Sequence, residues 1–372
     1  MRYHFIDAMR SVLMVLGVVL HAANVYTVAG QWEVHDSSTV SPKFDTLVEL
    51  LGSFRMPAFF VIAGFFAQMM LERHGRKHFV THRIRRLVVP FLASALAFNS
   101  AQLWLEFSWP QLTAHSIPFS PNLVEIFTSG RWLQHLWFLV TLLMFSVLAL
   151  YSWRFMRSTP PPSEQKSSVP ANLSGRLLPV FLLLGPLSEV MAHTVLHGSR
   201  VLMDGPFVLG LLDPIRLVTY VPFFLFGQWL FTNPDGMSDF CRPGLPTVVA
   251  VIAAFLLHRW LATAPEDRLH TVVSWGYLGI SHWLGCHLCF SVFWRLVNGP
   301  SVFWRYCSDA SYTVYLIHHL LVVIVAGCLV TVPWSASAKF LTVCCVVLVV
   351  AVLVHELFVR RIRLLSFLFN GK

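Results

Sequence analysis

Ten apolar runs, most of them about twenty residues long, constrain this chain more than any other feature: 10–30, 46–71, 88–107, 132–153, 177–197, 215–232, 245–262, 272–294, 311–333 and 340–359. Twenty helical residues climb about 30 Å, the thickness of bilayer hydrocarbon. The expected fold is therefore all-α, a polytopic membrane helix bundle of about ten transmembrane helices, with residues 1–372 forming one integral-membrane domain. Only 12% of residues are charged against 56% hydrophobic, and the longest polar stretch, 154–176, contains three consecutive prolines and reads as a flexible loop.

Basic residues set the orientation, because Lys and Arg stay on the cytoplasmic side of short loops. With the N-terminus inside, nineteen of the 27 fall inside and six outside: Lys43, Arg131, Arg200, Arg216, Arg268 and Lys339. Both termini are thus predicted to be cytoplasmic, which requires an even number of spans. The net charge of +9 is mostly this topology signal, and a basic inner face also suits anionic lipid headgroups or an anionic substrate. A cleaved signal peptide over 1–30 is the competing reading, with Asp7 in its charged region against it. None of the seven cysteines falls in a predicted outside loop, so no disulfide framework is expected. Cys286-His-Leu-Cys289 has zinc-like spacing, but it lies within a span and lacks a second such pair, and no metal is expected.

His21 stands in the first run, eleven positions after Arg10. Eleven helical residues turn about 1100° and climb about 16 Å, so the two share a face at different depths. A titratable ring in hydrocarbon is a functional candidate; the plainer alternative is a core histidine bonded to a neighbouring helix. Arg10, Arg83 and Arg86 gather at the predicted inner boundary, and Arg83 and Arg86 stand one turn apart just before Pro90. Guanidinium pairs bind phosphate oxygens bidentately, although positive-inside anchoring would produce the same pair. Glu49 and Arg55 fall in the second run, where an arginine needs an anion from the protein or from a ligand. His135 and Trp137 open the fourth run, and Tyr315 precedes His318 by one turn; these groups could bond a sugar hydroxyl or cross-link helices. His193, His282, His287, His319 and His355 read as packing or helix-crossing groups.

The chain has no phosphate-binding glycine loop, dinucleotide fingerprint, nucleophile elbow or His-Glu-x-x-His, which argues against an ATP-driven pump or a serine hydrolase. Basic residues are not interleaved with exposed aromatics, so nucleic acid is not an expected partner. No internal or inverted repeat favours a secondary transporter.

Six motifs follow one another along nearly the whole chain: Phe5-Ile-Asp7-Ala-Met-Arg10, the Arg10–His21 spacing, Ser53-Phe-Arg55-Met-Pro-Ala-Phe-Phe-Val-Ile-Ala-Gly64, Arg83-x-x-Arg86-Leu-x-x-Pro90, His135-Leu-Trp137-Phe-Leu139 and Ser311-Tyr-Thr-Val-Tyr315-Leu-Ile-His318. In that order they resemble the membrane acyltransferase-3 family. The pair His318-His319 and the terminal Leu364-Leu-Ser-Phe-Leu-Phe-Asn-Gly371-Lys372 resemble its branch that modifies osmoregulated periplasmic glucans. Many relatives carry a glutamate after the His-Leu-Trp-Phe-Leu motif; this chain has Leu139-Val-Thr-Leu-Leu-Met, as that branch does.

The resemblance implies a multi-pass enzyme of the bacterial inner membrane. It would carry an acyl group, succinyl in the first instance, from cytoplasmic acyl-CoA as co-substrate to hydroxyls of a periplasmic glucan acceptor. On this reading Arg10, Arg83 and Arg86 hold the CoA phosphates and the thioester lies near His21, which handles the proton. Glu49 orients His21, and Arg55 binds the succinyl carboxylate or the oxyanion. His135, Trp137, Tyr315 and His318 meet the acceptor. Asp7 stands about 21 Å below His21 on a helix, too far to orient it, and its i,i+3 spacing to Arg10 suits a salt bridge that sets the arginine fork. Two other functions remain open: an O-acetyltransferase of another cell-envelope glycan, and a glycan transporter or exporter, which would move solute without forming an ester.

Overall fold

A computed structural model describes residues 3–30, 32–109, 122–156, 184–196, 211–297 and 299–372 of the chain. The expected loop 154–176 lies almost wholly outside these residues, as do residues 110–121 and 197–210 and the first part of the run 177–197.

The described elements are all helical. They are α1 (His4–Asn24), α2 (Pro42–Arg83), α3 (Val89–Ser94), α4 (Ser100–Ser108), α5 (Leu123–Thr128), α6 (Trp137–Ser152), α7 (184–191), α8 (Pro214–Thr232), α9 (Pro234–Phe240), α10 (Leu245–Leu261), α11 (Arg268–Leu296), α12 (Val302–Leu329), α13 (Ala336–Val354) and α14 (Arg363–Asn370). Side chains of Asp213, Asp267, Ser301 and Ser335 accept hydrogen bonds from backbone N–H groups opening α8, α11, α12 and α13. These groups would otherwise lack partners.

Among the described residues six helices are long and apolar enough to cross a membrane, or seven if the bent pair Pro234–Phe240 and Leu245–Leu261 forms one span. That is fewer than the ten expected, for identifiable reasons. Pro42–Ser108 is one continuous helical stretch of 67 residues containing two of the predicted runs. It would be about 100 Å long if straight, but it breaks at Gly75, whose φ of 74° is open to glycine at little cost. The run 177–197 is only partly described, and α11, at 29 residues, carries His270, His282 and His287. Pro90 does not start a new helix: a π-helical turn, Ile84–Val88, runs into it and takes up the missing N–H.

Close helix approach builds the core. A Cβ on Gly64 would stand 1.9 Å from the Phe224 carbonyl oxygen, and one on Gly227 would stand 2.0 Å from that of Val61. Two glycines thus let α2 and α8 touch backbone to backbone, as helices in lipid do where hydrophobic driving force between them is lacking. Aromatic rings fill the seam beside them: Phe60 meets Phe138, Phe145 and Tyr220 at 4.7–5.4 Å. On the other side α1 packs along α12.

Both ends of the chain reach the same end of the bundle. Lys372 Nζ pairs with Asp309 at 2.9 Å, and the Arg10 guanidinium donates to the Ser308 hydroxyl on the same turn of α12. The opposite end is covered by the segment 25–41, which joins α1 to α2.

Candidate active site

One stripe of α1, formed by Arg10, Met14, Gly17 and His21, connects two polar regions. Its lower part lines a cavity of about 350 Å³ that opens at the end of the bundle carrying the termini. Arg10, Arg83 and Arg86 all line this cavity, with Tyr312, Asn370 and Lys372 opposite and Phe59, Ile62, Phe138 and Leu142 higher up. The structure therefore brings Arg10 to Arg83 and Arg86, which lie far from it in sequence. Asp7 stands 3.9 Å from Arg10, as the i,i+3 spacing requires. Arg86 Nη1 donates to the Asn370 carbonyl at 2.8 Å, and the Arg86 carbonyl accepts from the Tyr312 hydroxyl at 2.7 Å. Arg83 lies over the Phe79 ring, 4.9 Å from its centroid, and its Nε has no hydrogen-bond partner among the described residues.

Above the cavity, a Cβ on Gly17 would stand 3.0 Å from Arg55 Nη1 and 3.6 Å from His318 Nε2. The missing side chain leaves room for both groups against the stripe. Arg55 makes no hydrogen bond or ion pair among the described residues, and its Nε is buried. Glu49 is not its partner: that side chain is exposed on α2, with no bond to Arg55 or His21 among the described residues. The expected orienting role of Glu49 is corrected accordingly. Six residues along an α-helix lie nearly two turns apart and point in different directions, so the pair could not have closed within α2.

One turn further along α1, His21 joins three more histidines. Its ring lies 5.3 Å from His318 and 4.8 Å from His319, and His135 lies 5.0 and 4.9 Å from the same two. Nδ1 of His21, Nε2 of His318 and both nitrogens of His135 are buried without hydrogen-bond partners among the described residues. Buried polar atoms are rarely left so, and these nitrogens are suited to take ligand groups as partners. Backbone strain aims His135: the preceding Gln134 has φ 47°, ψ −128°, rare for a side-chain-bearing residue. The Asn99 amide, in a π-helical turn, holds this segment through the Trp132 and Leu133 carbonyls.

Two acceptor candidates make other bonds. The Tyr315 hydroxyl donates to the His135 carbonyl at 2.9 Å, so it cross-links α12 to the start of α6. Trp137 is covered by the Arg216 guanidinium, 4.3 Å above its ring. His282, His287 and His355 bond across helices to Glu189, Thr247 and Thr313.

Four residues at the cluster were not among the sequence-derived candidates for the site. Trp32 stacks on His21 at 5.8 Å. Glu33 Oε2 approaches His319 Nε2 at 3.9 Å. Gln102 accepts from His319 Nδ1 at 2.8 Å while its amide nitrogen donates to Glu106, and Glu106 lies 3.7 Å from Arg131. Burial pushes the Glu33 carboxyl up to about 7; the nearby Glu106 carboxylate adds to this and Arg131 opposes it. His319 was read as a helix-crossing group, which its Gln102 bond makes it, but its ring also forms a wall of the cluster. Its adjacency to His318 was the only signal in the sequence.

An acyltransferase-domain profile, that of acyltransferase family 3, matches residues 3–356. Curated relatives named glucans biosynthesis protein C, from Salmonella typhimurium and Salmonella typhi, are 28% identical over 386 residues, covering 100% of this chain and 95% of each relative. That of Salmonella gallinarum is 28% identical over 388 residues with the same coverage. No solved structure matches the chain.

Proposed function

Because this chain belongs to the acyltransferase-3 family, we propose that it is a membrane O-acyltransferase carrying a succinyl group from cytoplasmic acyl-CoA across the inner membrane to hydroxyls of periplasmic glucans. The name shared by its relatives supports a glucan acceptor. The observation that carries the reading is the α1 stripe: three arginines line a cavity at one end, and about 16 Å along the same face stand Arg55 and four histidines, of which His21, His135 and His318 have ring nitrogens without a partner among the described residues. A donor with a phosphorylated head and a long thin arm ending in a thioester suits that division.

In this proposal the CoA phosphates meet Arg10, Arg83 and Arg86, and the pantetheine arm lies along Met14, Phe59 and Phe138. Arg55, which has no carboxylate partner among the described residues, receives the succinyl carboxylate. The acceptor hydroxyl oxygen attacks the thioester carbonyl, the new C–O bond forms and the C–S bond breaks. The hydroxyl proton passes to His318 Nε2 and from there by way of the adjacent His21 to the leaving thiolate, so both histidines end neutral.

The test is mass spectrometry of periplasmic glucans from cells with and without the protein, paired with CoA release by purified protein given succinyl-CoA and glucan. Succinyl esters that depend on the protein support the proposal. Acetyl esters on another glycan would point to the O-acetyltransferase, and glucan movement with no new ester would point to the transporter.

A further inference from the structure

Residues 25–30 and 32–41 lie at the bundle end beside the histidines and are pinned at several points. The Asp36 carboxylate accepts from Lys339 Nζ at 2.6 Å, from the Ser38 hydroxyl at 2.6 Å and from the Thr39 hydroxyl at 2.9 Å. Asp36 and Lys339 are each 1% exposed. Burial works against the Asp36 charge, but these bonds still hold its carboxyl below the usual range. Lys339 also donates to the Val330 carbonyl, which ties the segment to both ends of the α12–α13 turn. The Asp45 carboxylate accepts from the Val28 and Ala29 N–H groups, and the Ser41 N–H donates to the Tyr26 carbonyl.

What this scaffold holds is the Trp32 indole. It lies over His21 with an interplanar angle of 28° and stands edge-on to His319 at 5.3 Å. The ring is partly buried and covers the face of the His21 imidazole on which it stacks. Among the described residues the indole N–H makes no bond to the histidines, so the contact is one of faces and apolar surface.

An acyl group held against proton-transferring histidines is exposed to a competing nucleophile, water. We propose that Trp32 is a fixed water-excluding cap over His21, one that decides in favour of transfer to a sugar hydroxyl and against thioester hydrolysis. This rests on the acyltransferase reading above. In the competing reaction a water oxygen attacks the thioester carbonyl and the C–S bond breaks. One water proton passes through imidazole to the thiolate, leaving a free carboxylic acid and CoA. An indole over the imidazole removes the volume that such a water would occupy. The Asp36–Lys339 ion pair, four residues along the chain from Trp32, holds the backbone that carries the cap.

The experiment uses purified full-length protein with succinyl-CoA, measuring CoA thiol with and without glucan, and ester on the glucan by mass spectrometry. In wild type, CoA release depends on glucan. Trp32→Ala and the bulkier Trp32→Leu should raise glucan-independent CoA release by about tenfold and lower the ester formed per CoA released, whereas Trp32→Phe should stay close to wild type. Should Trp32→Ala fail to fold, the leucine and phenylalanine variants still give the comparison. Fewer esters without excess CoA release would overturn the cap while leaving the acyltransferase reading intact. A wild type that consumes no acyl-CoA under any condition would overturn both.

Discussion

His318 donates its Nδ1 proton to the Tyr315 carbonyl, 2.6 Å away and one turn back on α12. A carbonyl can only accept, so the neutral ring must carry its lone pair on Nε2, the nitrogen left without a partner beside Arg55 and Gly17. The backbone of α12 thereby fixes the tautomer and aim of a base. His318→Asn keeps a donor near the Tyr315 carbonyl but has nothing in place of Nε2. Esterification should fall by about 10²–10⁴-fold with little change in thermal midpoint. His21→Gln should abolish acylation with membrane insertion intact; normal glucan ester content in that variant would remove His21 from the mechanism.

Arg83 and Arg86 should separate. Arg83→Gln removes a guanidinium that faces the cavity with its Nε unpartnered. It should raise the acyl-CoA KM about tenfold or more, leaving the acceptor KM and stability near wild type. Arg86→Gln also loses the bond to the Asn370 carbonyl, so the donor KM should rise and the thermal midpoint should fall together. Inverted topology reporters in either variant would assign the pair to anchoring instead.

Arg55→Lys should lose succinyl transfer while tolerating acetyl-CoA comparatively well, because only the dicarboxylic donor needs a planar fork. Glu49→Gln should be nearly silent, since Glu49 is exposed and bonds to neither Arg55 nor His21 among the described residues. Assaying both variants with both donors checks this; equal loss of the two donors in Arg55→Lys would end the succinate-clamp idea.

Gly64→Ala should be among the most damaging small substitutions in the chain. The new Cβ would stand 1.9 Å from the Phe224 carbonyl oxygen, so α2 and α8 must separate. Overpacking costs about 1–3 kcal/mol where side chains can yield, and here the obstruction is backbone. Thermal unfolding in detergent should give a clearly lower midpoint than for Gly52→Ala, where a Cβ meets nothing within 4 Å.

The Glu33 carboxyl titrates near 7 against an ordinary 4.5. Because His319 Nδ1 donates to Gln102, Nε2 can only accept, and only a protonated Glu33 can donate to it. A carboxyl whose folded value is raised contributes stability that is fully present below about 4.5 and is lost as pH rises through about 7. The thermal midpoint of wild type relative to Glu33→Gln should therefore fall between pH 5 and pH 8. A constant difference across that range would place the proton elsewhere.

Helical periodicity made the α1 stripe legible in the sequence, because Arg10, Gly17 and His21 belong to one rigid element whose geometry is known in advance. Apolar runs and motif order likewise determined the helical membrane class and the family. The tertiary structure decided which faces meet. His319 reaches Gln102 across 217 positions and Lys339 reaches Asp36 across 303, and Glu33 rather than Glu49 is the acid at the histidines. Such pairings depend on how closely helices approach, which the glycine contact between α2 and α8 sets, and on how a short segment is pinned over a bundle end. Neither is encoded in the spacing of residues along one helix, because both arise only when side-chain shapes from distant parts of the chain are packed against one another.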